Sequence, residues 1–145
     1  MSTAAPADVR VGLDLVDASE VAASIERFGD RYTSRIFTDH ELACCRRPDR
    51  DGHGAGWAVE SLAARFAAKE AVLKLLRPTG SQPAWRSIEL HRMTGGWCEI
   101  RLSGAAGALA AEAGIDRLSV SVSHESHLAA AVVVGWTAPR DEGDR

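Results

Sequence analysis

The segment RFAAKEAVLK, Arg65 to Lys74, lies inside the apolar run WAVESLAARFAAKEAVLKLL and carries charges where a core helix would hold alanine or leucine. At 100° per residue, Leu62, Phe66, Lys69, Leu73 and Leu76 share one stripe, the expected core face. Glu70, Lys74 and Arg77 share a neighbouring stripe with Ala63 and Ala67. Glu70 and Lys74 therefore stand one turn apart, framed by small residues that let another group come close. As a solvated pair they would stabilise a helix by only about 0.3–0.5 kcal/mol. Lys69 fits a lysine that lays its stem on the core and carries its amine to water. Asp14 adds a second carboxylate. It sits between Leu13 and Leu15 in the alternating stretch VRVGLDLV, where a charge is unfavourable unless it meets a partner. A strand aspartate and a helix glutamate together suit a hard cation. Mg2+ takes one or two protein carboxylates and keeps its other positions for waters and substrate phosphates. Lys74 would then reach a phosphate oxygen, and the set suits phosphoryl chemistry at a pyrophosphate. His124, in SVSHESH at a strand end, adds a phosphate donor or a proton carrier. His127 points the other way and reads as an ordinary strand residue.

Several elements must position these groups. Val9, Val11, Leu13 and Leu15 alternate with Arg10, Gly12, Asp14 and Val16, which predicts a strand over 9–16. Asp17 to Glu20 has capping-box spacing, with Val21, Ile25 and Phe28 following at helical intervals to about Gly29. Thr38 to Glu41 is a second capping box, opening a short helix near Cys45. RRPDRDGHGAG is a polar, glycine-rich loop. The long helix that follows must stop before Pro78. SIELHR and WCEIRL alternate around Gly95-Gly96 and predict a hairpin. Ala105 to Glu112 predicts a helix closed by Gly114. RLSVSVSH and HLAAAVVVGW predict a second hairpin across Glu125-Ser126. The fold class is α+β: one antiparallel sheet packed against one long helix and shorter helices, as a single domain over residues 9–136. Residues 1–8 and 137–145 read as disordered ends.

A chain of 145 residues with 46% hydrophobic content builds one domain with a real core. Its net charge of −3 gives no sign of a nucleic-acid partner. The N-terminal residues lack the basic and apolar regions of a secretory signal. The longest apolar run, LAAAVVVGW, is too short to span a bilayer. The reading is a soluble cytoplasmic protein. Cys44, Cys45 and Cys98 are an odd set with no disulfide framework. A metal site from Cys44, Cys45 and His53 lacks a second CxxC or HxxxH.

In their order, VGLDLVD, RIFTDHEL, RFAAKEAVLK, WRSIEL and SVSHESHLAAAVVV resemble the AcpS-type 4′-phosphopantetheinyl transferases, the holo-[acyl-carrier-protein] synthases. The resemblance spans roughly residues 11–134. It implies that Asp14 and Glu70 are Mg2+ ligands, that Lys74 contacts the phosphates of coenzyme A, and that His124 lies beside them. The implied reaction moves 4′-phosphopantetheine from coenzyme A to a serine of an acyl carrier protein and releases adenosine 3′,5′-bisphosphate. The proton leaving the serine has three candidate acceptors: Asp14, Glu70 or a water on the metal. Enzymes of this size are similar in being homotrimers with sites between subunits, and a single KEAxxK motif agrees with that.

One position departs from the family's pattern. An arginine that helps hold the acidic carrier usually stands six residues after the strand aspartate; here it is Glu20. Arg27, Arg31 and Arg35, or the loop at 46–56, remain for carrier contact. A fatty-acid carrier and a polyketide or peptide-synthase carrier are both open. Two other readings are a Mg2+-dependent hydrolase of coenzyme A-like pyrophosphates and a non-catalytic carrier-binding subunit. The hydrolase would turn over without a carrier, and the subunit would have no use for Asp14, Glu70 and Lys74 together.

Overall fold

The structure is a computed structural model that describes residues 8–49, 52 and 56–138. Strand β1 (Val9–Asp17) leads into helices α1 (Ala18–Phe28), α2 (Asp30–Ile36) and α3 (Asp39–Cys45). A two-residue ladder, β2 (Arg46–Arg47) with β3 (Gly56–Trp57), precedes the long helix α4 (Val59–Leu76). A 3-10 turn at Trp85–Ser87 opens β4 (Ile88–Arg92), which pairs with β5 (Cys98–Leu102). Then come α5 (Gly104–Glu112) and the hairpin β6 (Ile115–Glu125) and β7 (Leu128–Thr137). The main sheet has the order β1-β7-β6-β5-β4, antiparallel throughout. Its first and last long strands are thus neighbours, and β1 is an edge.

The chain's local chemistry accounts for most boundaries. The Asp17 carboxylate accepts from the Ser19 amide, a simple N-cap rather than the reciprocal box expected with Glu20. The box at Thr38 and Glu41 forms in full. Gly29, at φ 55°, ends α1 and turns the chain into α2, an element the periodicity did not announce. Ser126, at φ 57°, makes the β6–β7 turn with His127, so His127 is a turn residue and not a strand residue. Strand β7 runs one residue past the expected boundary at Trp136, and the Thr137 amide donates to the Asp8 carbonyl.

Helix α4 corrects the single-stripe expectation. It lies across β1 and β7 on one side and meets α1, α3, α5 and β4 around its circumference. Ala63, Ala67 and Ala71 are as buried as Leu62 and Val72. A helix buried round most of its circumference belongs in the centre of a domain, and the strip with Glu70 and Lys74 reaches the surface. The long loop before it is described only at its stem. Within it, residues 50, 51 and 53–55, including the candidate ligand His53, lie outside the described residues. The Cys45 thiol is buried and pushed up to about 11 by that burial, which makes it an inert core group.

The face β1 turns to α4 is its mixed face. Val9, Val11, Leu13 and Leu15 point away and are exposed, while Gly12 and Val16 are buried. Gly12 is required there: a Cβ built on it would stand 1.8 Å from the Ala71 carbonyl oxygen. At Gly135 the equivalent atom would meet only the side-chain tips of Leu75 and Leu118 at 3.1 and 3.2 Å. Gly12→Ala should therefore cost about 2 kcal/mol or more by pushing strand and helix apart. Gly135→Ala should cost clearly less. Urea unfolding of the two variants measures the contrast.

Candidate active site

The seam between β1 and α4 collects three of the four expected residues. Asp14 lies on the helix-facing side of β1, one pleat beyond Gly12, and Glu70 and Lys74 lie one turn apart on α4. The Lys74 Nζ donates to Asp14 Oδ1 at 2.9 Å and to the Leu13 carbonyl at 2.9 Å. Asp14 is largely covered, with 16% of its side chain exposed, against 54% for Lys74. The ion pair therefore has a fixed end and a free end. The Leu13 carbonyl was not legible as a partner, because a backbone acceptor leaves no mark in side-chain spacing.

Glu70 is half-buried beside this pair. Burial raises its pKa above the ordinary glutamate value, the Asp14 charge raises it further, and Lys74 opposes them. Two carboxylates that feel each other's charge are oxygen donors that could hold a hard cation. Mg2+ fits such a pair, since it needs only one or two protein carboxylates.

His124 does not join the cluster. Asp14 lies in register with Ala131 and Val122, whereas His124 lies in register with Ala129 on the next inward-facing row. It is exposed and stands two strand spacings from β1, each about 4.8 Å. Leu15, Ser123, Ser126 and Leu128 surround it in a shallow depression. His127 Nε2 lies 3.9 Å from Asp17 Oδ2, and its carbonyl accepts from the Ala18 amide at 2.7 Å, tying the turn to the start of α1.

Lys69 corrects the expectation of a lysine reaching water. Its side chain is wholly buried and paired with Glu41 at 2.8 Å. The capping box had given Glu41 a local role; its second partner comes from a helix distant in sequence. Glu20, Arg27, Arg31 and Arg35 are exposed along α1 and α2, and Phe28, Tyr32, Ile36 and Trp85 line an open groove with the last two arginines.

The matching family model, the 4′-phosphopantetheinyl transferase superfamily, covers residues 10–133. The chain belongs to that family. Its relatives place it among the holo-[acyl-carrier-protein] synthases. The protein of that name from Paramagnetospirillum magneticum is 42% identical over 90% of this chain and 98% of its own length. That from Moorella thermoacetica is 38% identical over 93% and 99%. The fold is that of the Neisseria meningitidis enzyme, with a TM-score of 0.71 and 32% identity over 87% of this chain and 96% of that one. The Helicobacter pylori enzyme, solved in complex with coenzyme A, matches with a TM-score of 0.70 and 27% identity over 86% and 98%.

The raised Glu70 pKa has a consequence for stability. Unfolded, Glu70 ionises at its ordinary value; folded, it keeps its proton to a higher pH. Between those values the native state binds more protons, so stability falls as pH rises through the window. Glu70→Gln removes that penalty. In chelator at neutral pH the variant should melt higher than the parent, and the gap should close below about pH 4. Calorimetric melts across pH check it.

Proposed function

We propose that this chain transfers 4′-phosphopantetheine from coenzyme A to a serine of an apo acyl carrier protein and releases adenosine 3′,5′-bisphosphate. Asp14 and Glu70 hold Mg2+ in this reading, and Lys74 and His124 meet the phosphates. The observation that carries it is the convergence of Asp14, Glu70 and Lys74 on one seam in a chain of this family. Bound there, Mg2+ supplies positive charge to the pyrophosphate oxygens as the bond to phosphorus exchanges. Lys74 can exchange its carboxylate for a phosphate oxygen because its own end of the pair is more than half exposed. The serine proton has three candidate acceptors in this seam, Asp14, Glu70 or a water on the metal.

The assembly that suits this site is a homotrimer. Val9, Val11, Leu13 and Leu15 form an exposed apolar row, in register with Trp136, Val134, Val132 and Ala130 on β7. A continuous apolar face beside an edge strand is a surface that proteins cover. A site that needs both Asp14 and His124, separated within one chain, draws His124 from a neighbouring copy. The carrier, of fatty-acid or polyketide type, meets α1 and α2, where Glu20 replaces one attractive charge and Arg27, Arg31 and Arg35 supply others. The enzyme is cytoplasmic in this reading; among the described residues no helix is long and apolar enough to cross a membrane.

Mixing the protein with coenzyme A, Mg2+ and several apo carriers tests the reaction. Mass spectrometry should show one phosphopantetheine per carrier, and omitting the carrier should leave coenzyme A intact. Release of adenosine bisphosphate without a carrier would favour the hydrolase instead. Lys74→Ala should cut turnover by about two orders of magnitude, as removal of a transition-state charge donor does, and weaken coenzyme A binding in calorimetry. For the assembly, light scattering should give a trimer mass. Val11→Asp should yield folded monomers by circular dichroism, with transfer lost; an active monomer would rule the shared site out.

A further inference from the structure

Helix α4 is apolar round most of its circumference, and Ala63, Ala64, Ala67, Ala68 and Ala71 are buried in different directions. Its polar stripe is held at one point, the Lys74–Asp14 pair, whose lysine end is 54% exposed. Its N-cap, Ala58, makes no side-chain cap bond. A slip of one residue turns the helix by 100° and moves it 1.5 Å. That slip would present Ala71 where Glu70 now stands, with small side chains on the new faces to accept it.

The Lys74–Asp14 pair resists such a slip at the surface, and a buried group resists it from within. The three hydrogens of the Lys69 ammonium meet three acceptors: Glu41 Oε2 at 2.8 Å, the Trp85 carbonyl at 3.1 Å and the Ile88 carbonyl. The Glu41 carboxylate in turn accepts from the Leu90 amide at 2.9 Å and the Thr38 amide at 3.0 Å. The surroundings are polarised, with carbonyls around the lysine and amides around the glutamate, so only this lysine in this orientation satisfies them. A buried pair is weak support for stability, because apolar residues of like volume often replace it without loss. Its best-attested use is to fix register, as a single buried asparagine does in coiled coils.

We infer that the buried Lys69–Glu41 pair is the positioning device that sets Glu70 opposite Asp14. Lys69 is adjacent in sequence to Glu70, so locking one amine to α3 and β4 fixes the direction of the next side chain. Lys69 and Glu41 touch neither metal nor phosphate; they act through Glu70. The inference rests on Glu70 being a metal ligand.

The test compares three variants by calorimetric Mg2+ binding in the presence of coenzyme A, by melting temperature, and by kinetics with a carrier. The double variant Glu41→Leu/Lys69→Met removes both charges at similar volume but leaves the Leu90 and Thr38 amides and two carbonyls without these partners, so it should melt below the parent, and binding is measured where circular dichroism shows it folded. Its Mg2+ dissociation constant should rise roughly 10–100-fold, the loss typical of removing a group that orients a ligand, while KM for the carrier stays unchanged. Glu41→Gln should give a smaller shift in the same direction. An unchanged Mg2+ constant in the folded double variant overturns the inference. Glu70→Gln is the control: if it too leaves Mg2+ binding unchanged, the metal reading falls and this inference with it. A parent-protein measurement covers variants that do not fold. Coupling is reciprocal, so Mg2+ with coenzyme A should slow hydrogen exchange at the Leu90 and Thr38 amides, and exchange indifferent to both would also overturn it.

Discussion

Everything at this site depends on how closely a strand and a helix can approach. Backbone meets backbone where Gly12 faces the Ala71 carbonyl. The next inward residue on the strand is Asp14, and the residue before Ala71 is Glu70. The absence of one β-carbon thus brings two carboxylates from opposite parts of the chain within electrostatic reach of each other. Alanines at 63, 67 and 71 let the helix sink into the domain, which leaves only a narrow polar strip at its surface to give direction. The polar pair inside adds to that direction.

The same closeness sets a tension. Two carboxylates with one exposed lysine between them are not a stable arrangement for its own sake, and the upward shift of Glu70 records the strain electrostatically. Structural ion pairs in the same protein look different. Lys69 and Glu41 bond each other, with two carbonyls completing the ammonium and two amides reaching the carboxylate, and hydrogen bonds with Thr38 and His91 carry the Glu89 pKa down against its burial. Burial also carries the Lys69 pKa down, so what distinguishes the two places is geometry: the inner pair is ringed by backbone groups, while Glu70 lies beside a like charge at the surface.

Much of this was legible beforehand. The alternation of VRVGLDLV, the i, i+4 spacing of Glu70 and Lys74, the Thr38 box and the two hairpins are local signals, and local signals survive into structure. The readings that failed required knowledge of the third dimension. Lys69 was set on the core stripe with its amine carried to water because a wheel shows only one helix, and its partner comes from α3. The core was assigned to one stripe because the wheel does not show that neighbours surround α4. Asp14 was judged by its leucine neighbours, yet those leucines are the exposed residues and Asp14 the covered one. Separating His124 from Asp14 needed the strand order, which puts β7 between β1 and β6.

That strand order also bears on how the protein comes to exist. Val9 pairs with Trp136 and Asp17 with Leu128, so the first strand synthesised waits for the last before it has a neighbour. Such distant pairings form late, because the intervening loop must be closed before any contact repays it. The helices and the β4–β5 hairpin are local and can form during elongation, but the strand bearing Asp14 cannot dock by pairing until β7 has emerged from the ribosome. During that interval an aliphatic strand with both edges open is the most aggregation-prone part of the nascent chain. The aspartate that completes the seam is made long before the strand it docks beside, and it is among the last groups to reach its place.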